Sequence, residues 1–120
     1  MQDKIRVVKV IVEKIISYCD EVEKFQKQFG GTYEEFNANS AFQMAGSMCI
    51  VQIGELISKL PEDFKEKHSE IEWRQIRGMR HILVHDYYHV NLKILWNALT
   101  RNIPKLKKDL QKICSELLED

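Results

Sequence analysis

Eight consecutive residues, Arg80-His-Ile-Leu-Val-His85-Asp-Tyr87, bring together a permanent cation, two imidazoles, a carboxylate and a phenol. Arginine holds a phosphate through paired hydrogen bonds and histidine exchanges a proton near neutral pH, so the combination suits cleavage or transfer at a phosphodiester. The competing reading is structural: the same residues end a helix and close its surface. Arg74, Arg77 and Arg80 recur at three-residue intervals, with Lys93 a little downstream, and form a local basic strip able to hold a polyanion. Against this stands the solvated helix face near a C-terminus, where the helix dipole favours cations. His81, His85 and His89 follow one another at i, i+4 and i+8, a spacing that also suits a metal ion, with Asp86 the adjacent carboxylate. The glutamate of an H-E-x-x-H motif is missing and the helix should break before His89, so neither a metal nor another cofactor is expected.

Whether these side chains can cooperate depends on the elements that carry them. Arg80 and His85, five positions apart, would sit about 140° apart on an ideal helix. Convergence therefore needs a distorted helix end, or a second copy of the chain that brings its own pair alongside across a two-fold axis. The motif helix should run from about Glu72 to His85, and Asp86 to Asn91 should interrupt it, with Asn91 placed as an N-cap. Tyr87 and Tyr88 fall at that interruption, so at least one phenol must face outward.

Upstream, apolar residues at Ile5, Val8, Val12, Ile15, Cys19 and Val22 alternate in steps of three and four and define a long amphipathic helix. Gly30-Gly31 should end it, and Thr32-Tyr-Glu-Glu35 resembles a capping box. The stretch from Ser40 to Leu60 is apolar or small on nearly every face, which predicts a helix in the middle of a bundle, with Ala45, Gly46, Ser47 and Gly54 allowing close backbone approach. Glu55 is the one charged residue inside it, either a rim group or a buried carboxylate in need of an arginine. Pro61 to Ser69 reads as a charged connection holding at most a short helical turn, with His68 exposed. From Leu92 to Leu117 the three-and-four rhythm crosses Pro104, predicting a kinked helix or two nearly collinear ones. Trp73 and Trp96 are read as core or interface anchors. The resulting architecture is all-α, an up-and-down bundle of four to five helices.

Bulk properties narrow the function further. At 120 residues and 44% hydrophobic content the chain suits a single domain, 1–120, with its own core. The formal net charge of +0 argues against coating nucleic acid or an anionic membrane by bulk electrostatics, so any phosphate site must be local. Cys19, Cys49 and Cys114 are odd in number and far apart, as expected of reduced thiols in a cytoplasmic protein. No apolar run approaches the length of a membrane span.

The block from Glu72 to Trp96 resembles the signature of HepT-like proteins in the HEPN superfamily, whose hallmark is R-x-x-x-x-H-x-Y with a polar residue after the arginine. Arg80, His85 and Tyr87 match it, and His81 occupies the polar position more often filled by asparagine. Ile53-Gly-Glu55, Trp73 and the Trp96 to Leu106 ending are similar to the family as well. The resemblance implies a homodimeric helical toxin of a toxin–antitoxin pair that cleaves RNA without metal at a site built from both subunits, with Arg80 and His85 catalytic and His81 supporting. It also implies an MntA-type nucleotidyltransferase antitoxin that transfers AMP onto Tyr87. Independently of the resemblance, the residue chemistry allows His85 to deprotonate a ribose 2′-hydroxyl while Arg80 stabilises charge on the phosphate, which calls for RNA and not DNA. Arg74, Arg77 and Lys93 are the candidate RNA contacts. The alternative function is a non-catalytic helical module that binds a nucleotidyltransferase or its substrate.

Overall fold

The apolar rhythm of the first thirty residues folds as one helix, α1 (Gln2–Phe29), in the computed structural model, which describes residues 2–119. Val8, Val12, Ile15, Cys19 and Val22 of the anticipated stripe are buried, while Ile5 stays 40% exposed. Gly30, with φ of 117°, takes the left-handed conformation and ends the helix, its N–H bonded to the Gln26 carbonyl at 3.0 Å. Thr32 then caps α2 (Tyr33–Asn37): its hydroxyl oxygen accepts the Glu35 N–H at 3.2 Å and donates to the Glu35 carboxylate at 2.9 Å. This short helix sets Phe36 edge-on to Phe42 at 5.0 Å and 5.2 Å from the Trp96 ring, which makes Trp96 an anchor of the core.

Asn39 accepts the Phe42 N–H at 3.0 Å and opens α3 (Ser40–Ser58), which packs between α1 and α5. Two of its small residues, Gly46 and Gly54, allow the close approach that the sequence suggests. A Cβ on Gly46 would lie 2.7 Å from a Leu99 methyl, and one on Gly54 would meet the stem of Arg80. The expectation of burial on nearly every face needs correction, because Met44 and Met48 are 61% and 57% exposed. The helix is central, yet one of its apolar faces is bare.

Pro61 stops α3 and leads into α4 (Glu62–Lys67). The indole N–H of Trp73 donates to the carbonyls of Lys65 and His68, both at 3.1 Å, and ties this connection to the start of α5 (Trp73–His85). His68, expected to be exposed, instead lies 4.7 Å from the Phe64 ring with only 13% of its side chain accessible. After α5 a 3-10 turn covers Tyr87–His89, and Asn91 caps α6 (Leu92–Asn97) by accepting the N–H groups of Lys93 and Ile94 at 3.0 and 3.1 Å.

The helical line then widens into a π turn, Ala98–Asn102, before α7 (Ile103–Glu119). Pro104 cannot donate a backbone hydrogen bond, and the wider turn immediately before it absorbs the mismatch while leaving Leu99, Ile103 and Leu106 on the buried face. The α7 helix lies along α1, where Leu110 and Ile113 join the core and Lys107 binds Asp20 at 2.7 Å and Glu23 at 2.9 Å. The fold is all-α, with no strand among the described residues: α1, α3, α5 and the α6–α7 line form the bundle, and α2 and α4 bridge it. None of the described helices is long and apolar enough to cross a membrane.

Candidate active site

Trp73, Ile76, Arg80, Leu83 and Tyr87 follow one another in steps of four and three, the stripe that α5 and the turn after it turn toward the core. Arg80 is the charged member of that stripe. It can lie there because the facing residue on α3 is Gly54, whose missing side chain leaves room for the arginine stem: a Cβ at Gly54 would come within 2.7–2.9 Å of three Arg80 carbons. The guanidinium reaches the Glu55 carboxylate and pairs with it, so that Arg80 is 32% and Glu55 42% exposed at the side chain. Arg80 Nε is buried and has no hydrogen-bond partner.

The guanidinium borders a cleft of about 310 Å³ lined by Gly54, Ser58, Arg74, Arg77, Gly78, Arg80 and His81. Three of the arginines singled out in the sequence therefore share one concavity, and His81 joins them. Arg74 and Arg77 are exposed along its wall. Lys93 is not among them: its ammonium stands 5.8 Å from the centre of the Tyr33 ring, over α2. Such a concavity, positive on one side and open to solvent, suits a chain of phosphates.

His85 is exposed at the last turn of α5. The helix is regular to that point and closes with the Asp86 N–H bonded to the Ile82 carbonyl at 2.7 Å. Of the two routes to convergence, a distorted helix end is thus absent: Arg80 lies against α3, and His85, five positions further along a regular helix, is exposed and does not line the Arg80 cleft. His81 connects the two regions, since it lines the Arg80 cleft and its ring lies 4.5 Å from the His85 ring at 51°. His89 does not continue the histidine row. It sits on the 3-10 turn with Nδ1 2.5 Å from Asp86 Oδ1. Among the described residues no group of three or more histidine, cysteine or acidic side chains is arranged to hold a metal ion.

Tyr87 is partly buried and packs against the core, at the edge of a hollow of about 200 Å³ lined also by Met44, Ser47, Met48, Val51 and Leu83. Tyr88 is 95% exposed and meets the Tyr87 ring edge-on at 5.9 Å. The outward phenol required by the sequence is therefore Tyr88, whereas Tyr87 belongs to the α3–α5 surface. Glu55 is the residue that sequence reasoning left outside the site. The one charge in the α3 helix and the one charge in the apolar stripe of α5 become partners only once the two helices are placed antiparallel.

The family profile described as "Ribonuclease HepT-like" matches residues 6–113. A Methanocaldococcus jannaschii protein described as a "Putative RNase" is 36% identical over 114 residues, spanning 95% of this chain and 97% of its own. A Caldanaerobacter subterraneus subsp. tengcongensis protein with the same description is 33% identical over 85% of this chain and 89% of its own. A Thermococcus cleftensis protein described as "Probable ribonuclease HepT" is 32% identical over 85% of this chain and 91% of its own. No solved structure matches the chain. An all-helical bundle that carries Arg80, His81, His85 and Tyr87 at the motif spacing, and a profile match over nearly its whole length, make this chain a member of the HepT-like ribonuclease family.

Proposed function

We propose that the protein is an endoribonuclease toxin acting as a homodimer, with each active site assembled from two copies of the chain. The observation that carries this reading is the divergence of Arg80 and His85 on one regular helix, beside the uncovered apolar side chains Met44 and Met48, which share a hollow with Leu83 and Tyr87. One chain offers an arginine cleft and, on another side, a histidine. A second copy docked along the α3–α5 face brings its histidine to the first copy's arginine and covers the bare methionines.

In the reaction, His85 takes the proton of a ribose 2′-hydroxyl, and the oxygen attacks the adjacent phosphorus. A bond from O2′ to phosphorus forms and the bond to the 5′-oxygen breaks, leaving a 2′,3′-cyclic phosphate and a 5′-hydroxyl. Arg80 stabilises the charge that grows on the non-bridging oxygens. The leaving oxygen takes its proton from His81, which lines the same cleft as Arg80. Arg74 and Arg77 hold phosphates further along the strand. No step requires a metal. A nucleotidyltransferase antitoxin silences the site by transferring AMP onto Tyr87, two residues from His85, which adds bulk and a negative charge where RNA must bind. The motif position of Tyr87 supports this last element, and mass spectrometry of Tyr87→Phe and Tyr88→Phe chains exposed to the antitoxin separates the two phenols.

The decisive experiment mixes two dead variants. Arg80→Ala and His85→Ala should each lower RNA cleavage by about 10²–10⁴-fold. After co-refolding, half of the dimers are mixed and carry one intact site of two, so about a quarter of wild-type activity should return. Full activity of His85→Ala overturns the mechanism, and failure of the mixture to recover overturns the shared site.

A further inference from the structure

We propose that Glu55 is a positioning residue that fixes the Arg80 guanidinium for catalysis, with Gly54 beside it providing the channel in which the arginine stem lies. The inference rests on the ribonuclease reading of the Arg80 cleft and extends it to a second helix.

An arginine on an open surface explores many rotamers, and transition-state stabilisation requires one of them. Arg80 is restricted at both ends. Three carbons of its stem lie where a side chain on Gly54 would be, so they rest directly on the α3 backbone. Its head is held by the Glu55 carboxylate one residue further along the same helix. Nε is turned into the protein, buried and without a partner, so the edge of the guanidinium left for a ligand is the Nη edge at the cleft. Arg77 and His81 line the same cleft as Arg80.

Stability does not account for this pair. Both partners are roughly a third or more exposed, and ion pairs so solvated add little to folding. A charged residue is also a poor choice for the stripe that α5 turns toward the core, where Ile76 and Leu83 are buried. Geometry accounts for it better: the carboxylate accepts from one Nη and orients the planar head. Glu55 does not touch the scissile phosphate in this arrangement and acts only through Arg80. A rival role, in which Glu55 masks Arg80 from the phosphate, gives the opposite kinetic sign.

The experiment compares wild type, Glu55→Gln, Glu55→Ala and Arg80→Ala in steady-state cleavage of a short single-stranded RNA, with thermal melting alongside. Glu55→Ala should lower kcat by on the order of 100-fold, with KM changed by less than about threefold and an unchanged melting temperature. Glu55→Gln keeps an acceptor oxygen and should recover much of that loss. Nitrogen-resolved NMR of the arginine side chains, with Arg80→Lys identifying the signal, should show distinct Arg80 Nη resonances in wild type that merge in Glu55→Ala. Wild-type or faster cleavage by Glu55→Ala overturns the proposal, as do Arg80 resonances that are identical in the two proteins. If the wild type cleaves no RNA at all, the ribonuclease reading fails, and the NMR comparison still determines whether Glu55 positions Arg80.

Discussion

The contact between α1 and α7 and the contact between α3 and α5 use the same three-and-four rhythm and reach different ends. Along α1 and α7 the apolar residues Val12, Ile15, Leu106 and Leu110 are at most 2% exposed, and the charged bridge of Lys107 to Asp20 and Glu23 stands outside the closed core. Along α3 and α5 the order is inverted. An arginine lies in the helix contact over Gly54, and the apolar Met44, Met48, Ile82 and Val84 are left outside. The first arrangement is what folding alone would select. The second gives up burial and leaves a buried guanidinium nitrogen unpaired, departures from local rules of the kind that gather where a surface has chemistry to perform.

The sharpest way to break this contrast is to charge the bare face. Met44→Asp combined with Met48→Asp should leave the helical content of the chain, read by circular dichroism, unchanged, because neither side chain is part of the buried core. The same variant should elute as a monomer in size-exclusion chromatography and lose cleavage by about 10²-fold or more, since each site would lack its second half. A dimer that persists would show that α3 and α5 do not form the interface. Truncating the closed contact should do the reverse. Leu110→Ala removes a side chain that is 0% exposed and should destabilise the chain by about 2–5 kcal/mol in urea denaturation, while activity per folded molecule stays near wild type. A Leu110→Ala protein with wild-type stability would mean that α7 contributes little to the core.

The two regions were also unequally legible in the sequence. The α1 stripe, the Gly30 terminus, the Thr32 and Asn91 caps and the small residues under Leu99 and Arg80 are set by local spacing, and local spacing is what a sequence displays. The motif residues were visible for the same reason, as a run of adjacent chemical types. What could not be read depends on contacts across the fold. Glu55 and Arg80 are 25 positions apart and meet only because α3 and α5 are antiparallel. The bare Met44 and Met48 look like core residues until neighbouring helices are seen to leave that face open. His68 looked like a loop residue because its partner ring, Phe64, lies on a helix too short for periodicity to reveal. The π turn before Pro104 was foreseeable only as some disturbance, since proline states which hydrogen bond is missing and not how the chain absorbs the loss.

The smallest effect concerns how far the looseness of the α3–α5 side extends into the bundle, and the thiols report on it. Burial pushes the Cys19 thiol up to about 12, with Asp20 adding to it, and the Cys49 thiol up to about 11, with Glu21 adding to it; Cys114 is raised as well, again chiefly by burial. At pH 8 burial keeps the folded Cys19 protonated, so a thiol reagent should label the less buried Cys114 first. Cys49 lies on α3 and Cys19 on α1, both are buried, and the two helices pack along one another. If the bare surface is loose only between α3 and α5, both should be labelled together, at the rate of global unfolding. Labelling of Cys49 well ahead of Cys19 would show that α3 itself moves, and the division between a closed half and an open half would have to be redrawn through α3. The pH dependence has a fixed sign. Above the ordinary thiol value of 9.0 the unfolded chain releases these protons while the folded chain retains them, so stability is full below that pH and declines as it rises. The urea midpoint should therefore fall between pH 8 and about pH 10, and Cys19→Ala should flatten that decline without altering cleavage.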